Sequence, residues 1–170
     1  MNWPQPVWTR RLPAVWAVGL ATLGPVGRLP YGPGTWGTLA GLLLFVGVLK
    51  WLPTVALLGI ALLLCWLAAA ICGEAELRLQ QKDPGCVILD EFSVVPLCFL
   101  GWPQLAAVVP TWVVFALGFA VFRLLDITKP CGISALQELP GGWGVMADDF
   151  AAALATCALL HIGIGFYAVM

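Results

Sequence analysis

Residues Pro53 to Gly73 read PTVALLGIALLLCWLAAAICG, twenty-one consecutive positions without a charge. A helix needs about 20 apolar residues to cross the hydrocarbon core of a bilayer, so this stretch places the chain in a membrane. Three further windows carry no charge: Leu29 to Leu49, Phe92 to Phe122 and Phe150 to Met170. The whole chain agrees, with 61% hydrophobic and 10% charged residues and a mean hydropathy of +0.96. Soluble domains carry about 25% charged residues. Eight Lys and Arg against nine Asp and Glu give a net charge of −1. That balance leaves no basic excess to hold a nucleic acid.

Working outward from Pro53, Thr38 to Cys72 reads as a helical hairpin. Lys50 snorkels at its turn, Trp51 sits at the interface, and Pro53 starts the second helix. In Phe92 to Phe122 the turn signal Gly101-Trp102-Pro103 divides the window. Pro103 to Phe122 is expected to span. Phe92 to Leu100, about 14 Å as a helix, is expected to be a short or re-entrant piece buried against protein. Phe150 to Met170 forms the last span. The expected fold is therefore all-α, a polytopic helical bundle within the bilayer. Its three polar loops, Pro30 to Thr35, Glu74 to Glu91 and Arg123 to Asp149, lie on one face. With no internal repeat and no low-complexity linker, residues 1–170 are expected to form a single domain.

Charge distribution orients the bundle. Arg78, Lys82, Arg123 and Lys129, joined by Arg10, Arg11 and Arg28, lie on the loop-rich face, and Lys50 lies alone on the other. The positive-inside rule makes the loop-rich face cytoplasmic. Ala14 to Gly27 is interrupted by Gly19, Gly24 and Pro25, so no cleavable signal peptide is expected. Cys65, Cys72, Cys98 and Cys157 sit in apolar runs, and Cys86 and Cys131 in polar loops. Without a CxxC pair they read as free thiols.

The loops bring acids to the membrane surface. Asp83 and the pair Asp90-Glu91 come from the second loop, and Asp126 and the pair Asp148-Asp149 from the third. Asp126 lies three residues from Arg123 and from Lys129, so the three share a helix face. Asp148-Asp149 is expected to open the last helix, where the dipole favours carboxylates. Asp90, Glu91, Asp126, Asp148 and Asp149 would repel one another unless a cation offset them, and Mg²⁺ takes such oxygen ligands. The plain alternative is a set of solvated helix-end charges paired with basic neighbours. Tyr31 to Thr38, YGPGTWGT, is a glycine-rich turn entering a helix, where backbone amides can face an anion. Thr35 or Thr38 can cap that helix or offer a hydroxyl to a phosphate. It lacks the ending of a Walker A loop. Its structural alternative is close helix packing through Gly37 and Gly41, spaced as GxxxG. Pro140 to Gly144 repeats this design or is an interfacial loop. His161, about 18 Å along the helix from Asp149, reads as a packing or hydrogen-bonding residue.

Four blocks, PGTWGTLAG (33–41), KDPGCVILDE (82–91), FRLLDITKP (122–130) and LPGGWGVMADD (139–149), stand in an order that resembles the phosphatidylglycerophosphatase A family of bacterial lipid phosphatases. The resemblance runs from about Gly19 to Ala153. It implies an Mg²⁺-dependent phosphatase that converts phosphatidylglycerophosphate to phosphatidylglycerol at the inner membrane. It also implies that Asp90, Glu91, Asp126, Asp148 and Asp149 fall on the family's acidic positions, and Thr35, Arg123 and Lys129 on its polar and basic ones. From the residues themselves, the acids are read as metal ligands, with Asp90, Glu91, Asp126 and Asp149 as catalytic candidates. Gly34, Thr35, Arg123 and Lys129 are read as substrate-binding. The chain departs from the family pattern at Val94, Cys131-Gly132 and Ala153, none of which removes a carboxylate. No cysteine lies in a C-x5-R loop, so a cysteine phosphatase is not expected. The alternatives are a cation-coupled transporter with intramembrane carboxylates or a lapsed family member serving as an assembly subunit. Oligomeric state is not legible.

Overall fold

Prolines start the helices. Proline's ring fixes φ near −65°, and with an extended ψ the chain turns and begins a helix on the next residue. Pro13, Pro53 and Pro110 do this ahead of Ala14, Thr54 and Thr111, with ψ of 141°, 147° and 137°. The structure, a computed structural model, describes residue 6 and residues 8–170. Its helices are α1 (Ala14–Ala21), α2 (Pro33–Gly47), α3 (Thr54–Leu79), α4 (Leu89–Cys98), α5 (Trp102–Ala106), α6 (Thr111–Thr128) and α7 (Gly142–Ala168), with 3-10 turns at Thr9–Arg11, Val26–Arg28, Leu49–Trp51 and Ile133–Glu138. Among the described residues there is no strand.

Among the described residues, four helical stretches are long and apolar enough to cross a membrane: Pro33–Trp51, Thr54–Leu79, Thr111–Thr128 and Gly142–Ala168. The expected hairpin is present, turning through Leu49–Trp51 and Pro53. Lys50 Nζ lies 4.7 Å from the Trp51 ring centroid at that turn. At 26 residues, α3 is about 39 Å long, more than the ~30 Å hydrocarbon core. Its last two turns, with Glu74, Glu76 and Arg78, therefore extend toward the polar loops.

The short helix α4 does not span. It is packed between α2, α3 and α7, and Ser93, Val94, Val95, Pro96, Leu97 and Cys98 are all buried. A half-length helix at membrane depth is tolerated when protein encloses it. Glycines on α2 allow the approach. A methyl group on Gly41 would meet Phe92 O at 2.5 Å, and one on Gly37 would meet Ile88 O at 2.8 Å. The GxxxG spacing is thus a packing seam, and it runs α2 parallel to α4. Below α4 the chain turns at Gly101, whose φ is +72°. Stacked and edge-on rings of Phe45, Phe99 and Phe115, with centroids 4.9–5.7 Å apart, fill that end. His161 abuts Gly101 and its Nδ1 donates to Cys157 O at 2.9 Å.

Three expected boundaries are corrected. Pro103 to Phe122 is not one span. The helix α5 ends at Ala106, Pro110 restarts the chain, and the span is Thr111–Thr128, with Arg123 and Asp126 inside it. Asp90 and Glu91 lie in the first turn of α4 rather than in a loop. Asp148 and Asp149 do not open the last helix, which begins at Gly142 after Gly141 at φ +59°. The glycine-rich approach, read as loop, is helical from Gly142, and its glycines serve close packing: a Cβ on Gly142 would strike Ala69 O and one on Gly144 Leu139 O. The six cysteines are free.

Candidate active site

Four helix ends meet at the polar face. Arg123 on α6 joins them. Its Nη1 donates to Asp126 Oδ2 at 2.6 Å, to Glu91 Oε1 on α4 at 3.3 Å and to Thr38 Oγ1 on α2 at 3.4 Å. The Thr38 hydroxyl donates its own proton to Gly34 O at 3.0 Å, so it faces Arg123 as an acceptor. Just past α6, Lys129 is held at φ +42°. Its Nζ pairs with Asp148 Oδ2 on α7 and lies 3.9 Å from Asp126 Oδ1.

The acids enclose a cavity of about 180 Å³, lined by Asp83, Gly85, Val87, Asp90, Glu91, Asp126, Lys129, Val145, Asp148 and Asp149. Asp90, Asp126, Asp148 and Asp149 are buried, none more than 8% exposed. Six carboxylates against the two cations Lys129 and Arg123 leave a formal charge of −4 if all ionise. Two like charges 5 Å apart repel by about 3 kcal/mol at an effective dielectric near 20. Burial, then the charge of Glu91, pushes the Asp90 carboxyl well above the usual carboxylate range. Burial, then Asp126, raises Glu91 to about 8, with Arg123 opposing. For Lys129, burial acts downward, but the hydrogen bond and charge of Asp148, with Asp149 and Asp126, outweigh it and raise the amine.

These shifts describe an anionic site short of positive charge. Glu91 Oε2 and Asp148 Oδ1 are buried without a hydrogen-bond partner, although a buried unpaired carboxylate oxygen is costly. Among the described residues no three such side chains are already closed around a single point as a metal cage. The oxygens instead lean on Arg123 and Lys129. The donor set, hard oxygens with two unsatisfied, fits a hard divalent cation. With such an ion, the cluster can also accept an anionic group.

Of the residues singled out in sequence, Asp90, Glu91, Asp126, Asp148, Asp149, Arg123 and Lys129 come together. Gly34 borders them, because a Cβ there would strike the Glu91 carboxylate. Thr35 stays outside. Its amide donates to Gly32 O at 2.9 Å and its side chain is exposed. Thr38, one helical turn on, is the threonine at Arg123. Asp83 also lines the cavity. Its place at the head of the block KDPGCVILDE, beside the acids already chosen, was the available signal. A larger cavity, about 530 Å³ between α6 and α7, is walled by apolar residues such as Val113, Leu117 and Ile164, and it holds none of these groups.

The family described as phosphatidylglycerophosphatase A matches residues 19–164. A Haemophilus influenzae protein named phosphatidylglycerophosphatase A is 34% identical over 129 residues, covering 75% of this chain and 76% of its own. An Escherichia coli protein of the same name is 30% identical over 141 residues, covering 79% and 76%. A Bacteroides thetaiotaomicron protein, provisionally named a phosphatidylinositol-3-phosphatase, is 34% identical over 143 residues, covering 80% and 86%. No solved structure matches the chain.

Proposed function

Because the chain belongs to the phosphatidylglycerophosphatase A family, and with it is a phosphatase of phosphate monoesters, we propose that it hydrolyses phosphatidylglycerophosphate to phosphatidylglycerol and phosphate, with Mg²⁺, at the cytoplasmic face of a bacterial inner membrane. One observation carries this reading: acids from three distant blocks share one cavity with Lys129 at the polar end of the spans, and Arg123 pairs with two of those acids, Glu91 and Asp126. A phosphate monoester carries close to two negative charges at neutral pH and would be repelled by this excess of acids over bases. The same acids that repel it are the ligands a cation needs.

Asp90, Asp126, Asp148 and Asp149 would hold Mg²⁺ through carboxylate oxygens, with Glu91, the fifth acid of the cluster, left to act as a base. When bound, the ion would neutralise charge on the phosphoryl oxygens and lower the pKa of an attacking water. Arg123, fork-shaped and permanently charged, binds the remaining phosphoryl oxygens, and Lys129 adds a point charge. Thr38 and Asp126 hold the Arg123 guanidinium in place. Glu91 is the general base. One of its oxygens is on Arg123, and Oε2, free of partners, takes the proton of the attacking water. The water oxygen bonds to phosphorus as the ester P–O bond breaks. The leaving glycerol oxygen takes a proton from solvent water and Glu91 returns its own proton to solvent, so the net reaction consumes one water and regenerates the carboxylate. An aspartyl-phosphate is not needed in this sequence of steps.

Orientation is supported by the basic residues. The Arg10 carbonyl accepts from Arg78 Nη2 at 3.4 Å, and Gly27, next to Arg28, abuts Cys86 O. Both N-terminal basic segments thus lie at the site end with Lys82, Arg123 and Lys129, opposite Lys50. That asymmetry favours the cytoplasm for the site. The test is phosphate release from phosphatidylglycerophosphate by the purified full chain in detergent, with Mg²⁺ and after chelation. Release that chelation abolishes and Mg²⁺ restores is expected. Release unchanged by chelation would remove the metal from the reading, and no release in either condition would overturn it.

A further inference from the structure

The acidic cavity, about 180 Å³, counts six carboxylates and one lysine in its lining. That lining suits a cation and the phosphate it carries, and it repels a second phosphate. The substrate carries more: beyond the monoester come a glycerol and a second phosphate, the phosphodiester joined to the lipid. Those groups are best placed outside the acidic cavity, where two further polar cavities follow it in series through shared lining residues.

A second cavity of about 240 Å³ shares Asp83 and Val145 with the acidic one and adds Lys82, Gln137 and Gly144. A third, about 380 Å³, shares Lys82 and continues past Gln80, Gln81 and Glu76 to Leu77. Leu77, on α3, is 60% exposed and gives the third cavity an apolar rim. Among the described residues Lys82 is the one cation lining either outer cavity, and it stands at their junction. The two acids along the way are partly engaged inside the protein. Glu76 Oε1 accepts from the Asp83 amide at 2.6 Å, and Asp83 Oδ2 accepts from Gln137 Nε2 at 3.3 Å.

We propose that Lys82 and Gln137 form a headgroup subsite, in which Lys82 binds the phosphodiester and Gln137 the glycerol of the lipid whose terminal phosphate occupies the acidic cavity. This rests on the hydrolysis proposed above and names the part of the chain that reads the rest of the headgroup. A lipid bearing the monoester but no second phosphate gains nothing from it. Lys82 and Gln137 are therefore specificity residues, distinct from the groups that touch the reacting phosphorus.

The experiment compares two lipids in detergent with Mg²⁺: phosphatidylglycerophosphate, and phosphatidic acid, which has only the monoester. Wild type, Lys82→Met, Lys82→Arg and Gln137→Ala are measured for kcat and KM, with thermal melting to show that each is folded. Loss of one charge-assisted hydrogen bond predicts about a tenfold drop in kcat/KM. For Lys82→Met the drop should appear in KM for phosphatidylglycerophosphate, with phosphatidic acid within about twofold of wild type. Gln137→Ala should move the same ratio less, and Lys82→Arg should restore it. Equal losses on both lipids, or none on either, would overturn the subsite while leaving the hydrolysis intact. A wild type inactive on both lipids would overturn both proposals.

Discussion

Asp149 concentrates the chemistry of the site in one residue. It is 3% exposed and shares its cavity with Asp90, Glu91, Asp126 and Asp148. Its charge among those acids is unfavourable without a cation, and under the proposed function it would be a ligand of Mg²⁺. Asp149→Asn keeps the shape and removes the charge, so stability and activity should move in opposite directions. In chelator the variant should melt about 2–4 °C higher than wild type, the equivalent of about 1 kcal/mol for a chain of this size. Phosphate release should fall at least about 100-fold. Saturating Mg²⁺ at 100 times its Kd adds about 2.7 kcal/mol to a protein that binds it. The variant should lose most of that rise in melting temperature. A variant that melts lower in chelator and gains as much from Mg²⁺ as wild type would contradict the role. Gly34 poses the complementary case. A Cβ there meets the far end of the Glu91 side chain rather than backbone. Gly34→Ala should therefore displace Glu91 without unfolding the chain: about a tenfold loss in kcat, with the melting temperature within about 2 °C of wild type.

At the scale of elements, the glycines that face backbone decide where helices can cross. A methyl group on Gly142 would strike Ala69 O and lie 2.6 Å from Gly73 N, and neither atom can move without α3. Overpacking of this kind costs about 1–3 kcal/mol. Gly142→Ala should lower the melting temperature in detergent by several degrees. Gly163→Ala, on the same helix with no heavy atom within 4 Å of the new Cβ, should leave it unchanged or raise it. Equal melting of the two would mean that α3 and α7 are not in close contact. The same residues explain what the sequence made legible. Helix α3 and the hairpin were readable because charge vanishes over more than twenty positions and Pro53 marks a start. The split of Phe92–Phe122 was harder to place. Uniform hydropathy gives no internal boundary, and the restart at Pro110 depends on α5 ending after five residues. The glycine-rich approach to Asp148 carries turn residues, yet from Gly142 it is helical, and its glycines are there for close packing, Gly142 against α3, which sequence alone does not distinguish from a turn. The acids were legible as doubled pairs at window ends. That Thr38 rather than Thr35 meets Arg123 was not, because the contact joins positions 85 residues apart and depends on which face α2 turns to α6.

The whole molecule is asymmetric in charge and in reach of water. Arg10, Arg11, Arg28, Arg78, Lys82, Arg123 and Lys129 stand at the site end and Lys50 at the other, the asymmetry on which the proposed cytoplasmic placement of the site rests. The chain carries its own reporter of that orientation. Cys131 is exposed, held at φ +57° in the loop between α6 and α7 two residues from Lys129. Cys65, Cys72 and Cys98 are buried, and Cys86 and Cys157 are half-buried. A membrane-impermeant maleimide reacts with the thiolate of an accessible cysteine. Whole spheroplasts should thus leave Cys131 unlabelled, and inverted vesicles should label it rapidly. Cys131→Ser should remove most of that signal. As a control for access, a cysteine introduced at Lys50 should show the reverse pattern. Labelling of Cys131 from outside intact spheroplasts would put the carboxylates on the external surface. The lipid phosphate would then have to be hydrolysed there, and the cytoplasmic assignment would fall while the carboxylate cluster and its chemistry stood.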